Sequence, residues 1–219
     1  MDKASERLRG VFCTQEQNPD IVDQLFLFRK TLFVDTLNWD LPVQAGREID
    51  QFDTGSAVHC ALYRADRLIG GFRALRCDQP YLAQTVFPHL AVFAPYPSRT
   101  DVWEISRFGV LPSEAGSMTA RILYSLMFRL AYLAQASALV ALADLRYERF
   151  LTLLGIRTRR YGPPQVIGTD ETGAPLTVVA GDIPLASQRG WRFEALINLV
   201  NTVEIEDEAL VFRPRRLSA

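Results

Sequence analysis

The sequence predicts an α/β fold, a three-layer sandwich with helices on both sides of a mixed sheet. Two apolar segments, AVHCALYR (57–64) and LIGGFRAL (68–75), flank the short turn Ala65-Asp66-Arg67 and form an antiparallel hairpin. Downstream, strand and helix patterns alternate as β-α-β-α-β. Over 219 residues, 48% are hydrophobic and 22% charged, ordinary globular values for one domain with a full core.

From the N-terminus, Asp20 is placed to cap a helix over about 21–37, where Ile21, Leu25, Phe28 and Leu32 recur at helical spacing. Residues 40–56 mix Pro, Gly and charges and read as irregular. After the hairpin comes a polar, Pro-rich loop over 94–101, then the strand VWEISRFGV (102–110). Ile122, Leu123, Leu126, Met127, Leu130 and Leu133 form one stripe of a helix over 117–135. The run ALVALA (138–143) is a buried strand, and Asp144 caps a helix ending at Gly155. A strand closed by Pro163-Pro164, the strand LTVVAGDIP (176–184) and a helix near 190–200 complete the core. The expected organisation is a single domain over 1–219, with a helix and lid segment over 1–56 and a sheet-containing core over 57–219.

Lys plus Arg is 24 and Asp plus Glu 25, a balance of −1 that argues against a dedicated nucleic-acid binder. No stretch approaches the roughly 18 apolar residues that cross a bilayer, and MDKASERLRG lacks the apolar core of a secretory signal. Cys13, Cys60 and Cys77 contain no CxxC pair, and His59 and His89 stand alone, so no metal site is expected. The expected location is a reducing cytoplasm. Cys60 reads as a core thiol, with His59 on the opposite face. The basic run RPRR (213–216) reads as a solvated end.

Four features carry possible chemistry. Arg29 sits among Leu25, Phe26 and Phe33 on its helix, and either snorkels to water or meets an acceptor. EIDQFD (48–53) brings Asp50 and Asp53 near Arg47, downstream of Trp39, as a solvated turn or as a lid for a cationic ligand. Glu104 and Arg107 lie three positions apart on a strand, so strict alternation puts Glu104, Ser106 and Phe108 on one face and Arg107 on the other. A shared site requires a bulge between them, and one is predicted. Arg73 follows Gly70-Gly71, glycines that mark close backbone approach with room for a ligand. Arg29, Arg73 and Arg107 against Asp50, Asp53 and Glu104 make a charge-balanced set that suits a zwitterionic substrate or, equally, a structural ion-pair network.

In order, FRKTLF with Trp39 after five intervening residues, EIDQFD, the G-x-x-R of 70–73, VFPHL and WEISRF resemble the acyl-homoserine-lactone synthases, the autoinducer synthases of bacterial quorum sensing. The resemblance runs from about 25 to 182 and is densest over 25–110. Positions matching the family's characteristic residues are Arg29, Phe33, Trp39, Asp50, Asp53, Arg73, Phe87, Glu104, Ser106 and Arg107. The implied fold is the acetyltransferase-like (GNAT-like) αβα sandwich, whose splayed central strands accept an acyl-pantetheine arm. One departure is Ala74-Leu75-Arg76, where the family usually continues Leu-Leu-Pro.

The resemblance implies transfer of an acyl group from an acyl thioester to the amine of S-adenosyl-L-methionine, then lactone closure with release of methylthioadenosine. S-adenosyl-L-methionine is thus a substrate, and no cofactor is implied. The protonated amine needs a base, assigned to Glu104. The oxyanion needs donors, assigned to N–H groups at the bulge near Ser106 and Phe108. Arg73 and Arg107 orient carboxylates, either the substrate's or those of Asp50 and Asp53. Trp39 and Phe33 cover the sulfonium region, where a ring contributes about 0.5–2 kcal/mol, and Arg29 anchors the lid.

Family positions that face acyl carrier protein fall near Arg149, Leu153 and Val166; Arg157, Arg159 and Arg160 are basic alternatives, and the balance favours acyl-CoA as donor. Ala141 offers no hydroxyl to a 3-oxo group, which favours an unsubstituted chain beside Leu123, Met127, Leu142 and Leu145. The competing readings are an acetyl-CoA-dependent N-acetyltransferase of the same fold and a non-catalytic ligand sensor. The first lacks its phosphate loop at Ser113–Met118, and the second has no use for Glu104.

Overall fold

The computed structural model describes residues 7–114, 117–169 and 172–206; the RPRR run lies outside them. The chain opens with strand β1 (Leu8–Cys13) and helix α1 (Pro19–Arg29), which continues as a π-helical segment, Lys30–Thr36. The expected cap moves two residues upstream. Asn18 holds the N-cap position, Pro19 supplies a φ suited to the first turn, and Asp20 sits inside that turn.

Residues 40–56 are more ordered than expected. They contain a small hairpin, β2 (Val43–Gln44) and β3 (Arg47–Glu48), turned by Ala45 and Gly46 at φ of 48° and 77°. The predicted hairpin follows as β4 (Val58–Arg64) and β5 (Arg67–Arg76). A short helix, α2 (Leu82–Val86), precedes β6 (Val102–Val110). Then come α3 (Ser117–Leu133), β7 (Ala138–Asp144) and α4 (Leu145–Leu153), whose cap is the Asp144 carboxylate accepting from Arg146 N at 2.6 Å. The strand expected before Pro163 shrinks to β8 (Arg159–Arg160), and β9 (Gln165–Thr169) lies after the prolines. The last elements are β10 (Pro175–Pro184), α5 (Trp191–Ile197) and β11 (Val203–Glu206).

The strands form one sheet in the order β11-β1-β4-β5-β6-β7-β10-β8, with β9 also on β10. β11 runs parallel to β1, and β6 parallel to β7; the other pairs are antiparallel. The β6–β7 ladder holds only from Val102↔Ala138 to Glu104↔Val140, after which the two strands part. That is the splay expected at the sheet's centre.

Each face has its own core. Phe12, Cys60, Phe72, Trp103, Ile105 and Leu139 pack on α3 and α5. On the other face Val11, Cys13 and Ala61 meet Val22, Leu25 and Phe26 of α1, while Leu75, Val102 and Val140 meet Tyr81, Ala83 and Leu90. Burial of this apolar surface drives the layering, at about 25 cal/mol per Å².

Gly71 and Gly109 are register partners on the α1 face. A Cβ on Gly71 would lie 2.6 Å from Leu25 Cδ2 and 2.7 Å from Cys60 O, and one on Gly109 would strike Leu32. The room these glycines leave is filled by the helix itself, not by a ligand. Cys13, Cys60 and Cys77 are buried free thiols. Among the described residues, no helix is long and apolar enough to cross a membrane, and no His, Cys, Asp and Glu group fit to hold a metal ion occurs.

Candidate active site

The charged candidates meet on the face of β5 and β6 that lies beneath α1. Arg29 descends from the last turn of α1. Residues 50–53 turn tightly: Asp53 N donates to Asp50 O (3.1 Å), Asp50 N to the Asp53 carboxylate (2.9 Å), and Phe52 N to the Asp50 carboxylate (2.9 Å). This turn aims Asp50 and Asp53 at the sheet.

β6 carries the predicted bulge. Gly71 pairs with Gly109 and Arg73 with Ser106, so two steps on β5 oppose three on β6. Arg107 takes the extra place in the left-handed region, φ 53°, a conformation that costs a residue with a side chain roughly 1–2 kcal/mol. The bulge turns Arg107 toward Glu104 and Ser106. It also sends Phe108 to the α3 face, where the ring stacks on Tyr124 (4.4 Å) and Phe72 (5.9 Å). Phe108 thus leaves the face that strict alternation gave it, and its side chain belongs to the core.

Three guanidiniums and three carboxylates then close a network. Arg29 donates to both Asp53 oxygens (2.7 and 2.8 Å) and to Glu48 (2.5 Å). Arg73 donates to Asp50 (2.5 and 3.1 Å), to Asp53 (2.9 Å) and to Ser106 Oγ (3.1 Å), with the Phe52 ring 5.8 Å from its guanidinium. Arg107 donates to Glu48 (2.9 and 3.1 Å) and Asp50 (2.8 Å). Every one of these side chains is at least nine-tenths buried. Such burial is tolerable because each charge is answered and its lone pairs or protons are used.

Burial alone would raise the Asp53 pKa, but Arg29 and Arg73 outweigh it and hold the carboxyl well below the usual range. Burial opposes the charge on Arg29 too, and Asp53 and Glu48 more than restore it. His59, beside Arg73 in register, is buried and pushed down to about 3, mainly by desolvation. It is a neutral core residue, T-shaped against Phe26.

The third acid of the network is Glu48, which the sequence reading passed over although EIDQFD contains it. Glu104 stands just outside. It is 1% exposed and accepts from Leu82 N (3.1 Å) and Ala83 N (2.6 Å) at the start of α2. Burial raises its pKa; the two N–H groups and Arg73 pull it back only in part, so it stays above the ordinary value of 4.5. A buried carboxylate with raised proton affinity, next to a charge-neutral network, is suited to take a proton from an ammonium.

Phe33 is buried and stacks on Trp39 (5.1 Å), which is 36% exposed and presents its other face outward. Phe87 ends α2, half-buried, its carbonyl accepting from Tyr96 OH (3.1 Å). Ala141 lies on β7 opposite Gly181, past the last residue that pairs with β6. Leu123 and Met127 are core residues, Leu142 is partly buried and Leu145 is exposed. A cleft of about 520 Å³ adjoins the site, floored by Phe52 and Leu75 and rimmed by Gln51, Arg76 and Thr85. Leu75, where the family's Leu is kept, is the register partner of Glu104; of the two departures from Leu-Leu-Pro, Arg76 rims the cleft and Ala74 lies in the α3-face core. Arg159 and Arg160 are bound to Asp182 and Glu148.

An open mixed sheet with a splayed parallel pair, a bulge beside the splay and a buried carboxylate on the bulged strand defines an acetyltransferase-like acyltransferase fold. Comparison with known proteins narrows the class. Residues 13–183 match the autoinducer synthase family, and the chain belongs to that family. An acyl-homoserine-lactone synthase of Acinetobacter nosocomialis is 33% identical over 150 residues, 64% of this chain and 82% of that one. One from Pseudomonas aeruginosa is 29% identical over 190 residues, covering 85% and 87%. The solved structure of the CoA-dependent acyl-homoserine lactone synthase BjaI, with SAM and isopentyl-CoA, shares the fold at TM-score 0.79 and 21% identity, over 91% and 93% of the chains.

Proposed function

We propose that the protein is an acyl-homoserine-lactone synthase that makes a quorum-sensing signal from S-adenosyl-L-methionine and an acyl thioester. The observation that carries this reading is Glu104, buried beside the Arg29–Arg73–Arg107 network on the strand that borders the splay. The splay admits the pantetheine arm and brings the thioester carbonyl to the bulge. Glu104 takes a proton from the substrate's α-ammonium, directly or through a water. The free amine adds to the carbonyl, and backbone N–H groups at the bulge hold the oxyanion. Collapse breaks the C–S bond and forms the amide; the proton that the nitrogen sheds goes to the departing thiolate, which leaves as the free thiol. The methionyl carboxylate attacks its own γ-carbon, closing the lactone as methylthioadenosine leaves as a neutral thioether.

The protein network neutralises itself, so its part is to fasten residues 48–53 and Arg107 around this centre. Trp39 is the ring available to the sulfonium. We take the enzyme to be one cytoplasmic domain that needs no cofactor beyond its substrates. Acyl-CoA is the proposed donor, supported by the commitment of Arg159 and Arg160 to acids of this chain. Ala141 supports an acyl chain without a 3-oxo group. The test is mass spectrometry of products made from S-adenosyl-L-methionine and a panel of acyl-CoA and acyl-carrier-protein thioesters. Expected are an acyl-homoserine lactone and equimolar methylthioadenosine, with the higher kcat/KM on CoA. Amide formation without methylthioadenosine would make it a simple N-acyltransferase.

A further inference from the structure

We propose that Glu48 is a positioning residue for acyl transfer: its buried carboxylate locks Arg107 in the left-handed conformation that creates the bulge in β6. The inference rests on the transfer reaction proposed above. A bulky residue at φ 53° does not stay there unaided; its surroundings must over-determine it. Glu48 is fully buried and receives Arg107 as a two-bond fork, Nη2 to Oε1 at 2.9 Å and Nε to Oε2 at 3.1 Å. Oε2 also accepts from Arg29 Nε at 2.5 Å, so the carboxylate is itself held by α1. Asp50 touches the same Nη2 at 2.8 Å but is shared with Arg73, and it makes a single bond to Arg107.

The β2–β3 hairpin delivers this carboxylate. Its turn at Ala45-Gly46 places Glu48 at the end of β3, and Arg47 pins the hairpin to Asp23 of α1. Without Glu48, Arg107 relaxes to extended backbone and turns to the α3 face. Residues 108–110 then shift by one place, which takes Phe108 off Tyr124 and Gly109 out from under Leu32. The peptide groups that face the thioester carbonyl move with them. Glu48 never touches substrate in this scheme, yet it sets where the oxyanion donors point.

The experiment is Glu48→Gln, with kcat and both KM values read from free-thiol release and the Arg107 backbone read from NMR scalar couplings. Expected is a loss of roughly 10- to 100-fold in kcat, both KM values within about threefold, and departure of Arg107 from positive φ. A folded variant that keeps the Arg107 conformation and its kcat, with only a lower Tm, overturns the proposal. Should the Gln variant not fold, Glu48→Asp keeps the charge one methylene further back and is read in the same way. The backbone measurement needs no substrate, so absence of methylthioadenosine release by the wild type would overturn the reaction alone.

Discussion

At the scale of single residues, Glu104 does two things. It is the proposed base, and its two oxygens cap the start of α2 through Leu82 N and Ala83 N. In Glu104→Gln an amide donor faces one of those N–H groups, which costs about 1–3 kcal/mol of stability. The change therefore does not leave folding untouched, as a surface glutamate would. Acylation is expected to fall by roughly 10²–10⁴ as thiol release, well beyond what a destabilised but folded protein loses. The raised pKa sets a second expectation. Glu104 must be deprotonated to act, so the rate falls as pH drops through its pKa, and the acid limb of kcat/KM lies above 4.5. A limb at or below that value would remove Glu104 as the base.

At the scale of elements, the seat of α1 on the sheet rests on Gly71 and Gly109. Gly71→Ala meets the fixed carbonyl of Cys60 as well as Leu25, whereas Gly109→Ala meets only side-chain ends of Leu32 and Phe33. Overpacking costs about 1–3 kcal/mol, so urea unfolding should show the larger loss for Gly71→Ala. Equal losses would mean that the helix, not the strand, yields. These glycines also show the limits of sequence reading. Alternation and turn residues made β4, β5, β6 and β7 legible, and the spacing of Glu104 and Arg107 made the bulge legible, because local sterics decide each. The other partner of a close approach is not local, so Gly70-Gly71 read as space for a ligand. The edge strand β11 gains order from β1 across the whole chain, and the two-residue strands β2 and β3 from Arg47 and Glu48; neither leaves a periodic signature. Glu48 was hidden for the same reason. Its role depends on a residue 59 positions away.

At the scale of the whole molecule, buried acid–base groups tie stability to pH. Asp53 titrates lower in the fold than its ordinary 3.8, and His59 titrates at about 3 against 6.5. Both shifts mean that the unfolded chain binds more protons, so these two groups make stability rise with pH, while the raised Glu104 acts in the opposite sense above 4.5. His59 contributes fully above 6.5 and loses its share as pH falls toward 3; Asp53 adds its loss below about 3.8. Tm is expected to fall steadily from pH 7 to 4, and His59→Gln to flatten the upper half of that slope. A slope that His59→Gln leaves unchanged would contradict the burial of His59. The ionic network has one more consequence, for biosynthesis. It joins α1, the 48–53 turn, β5 and β6, so a chain emerging from the ribosome carries unmatched charges until β6 is out. Loop closure over such separations is slow compared with local helix formation. The network therefore closes only once Arg107 is available, and a chain that stops short of β6 leaves Glu48 and Asp50 without that partner.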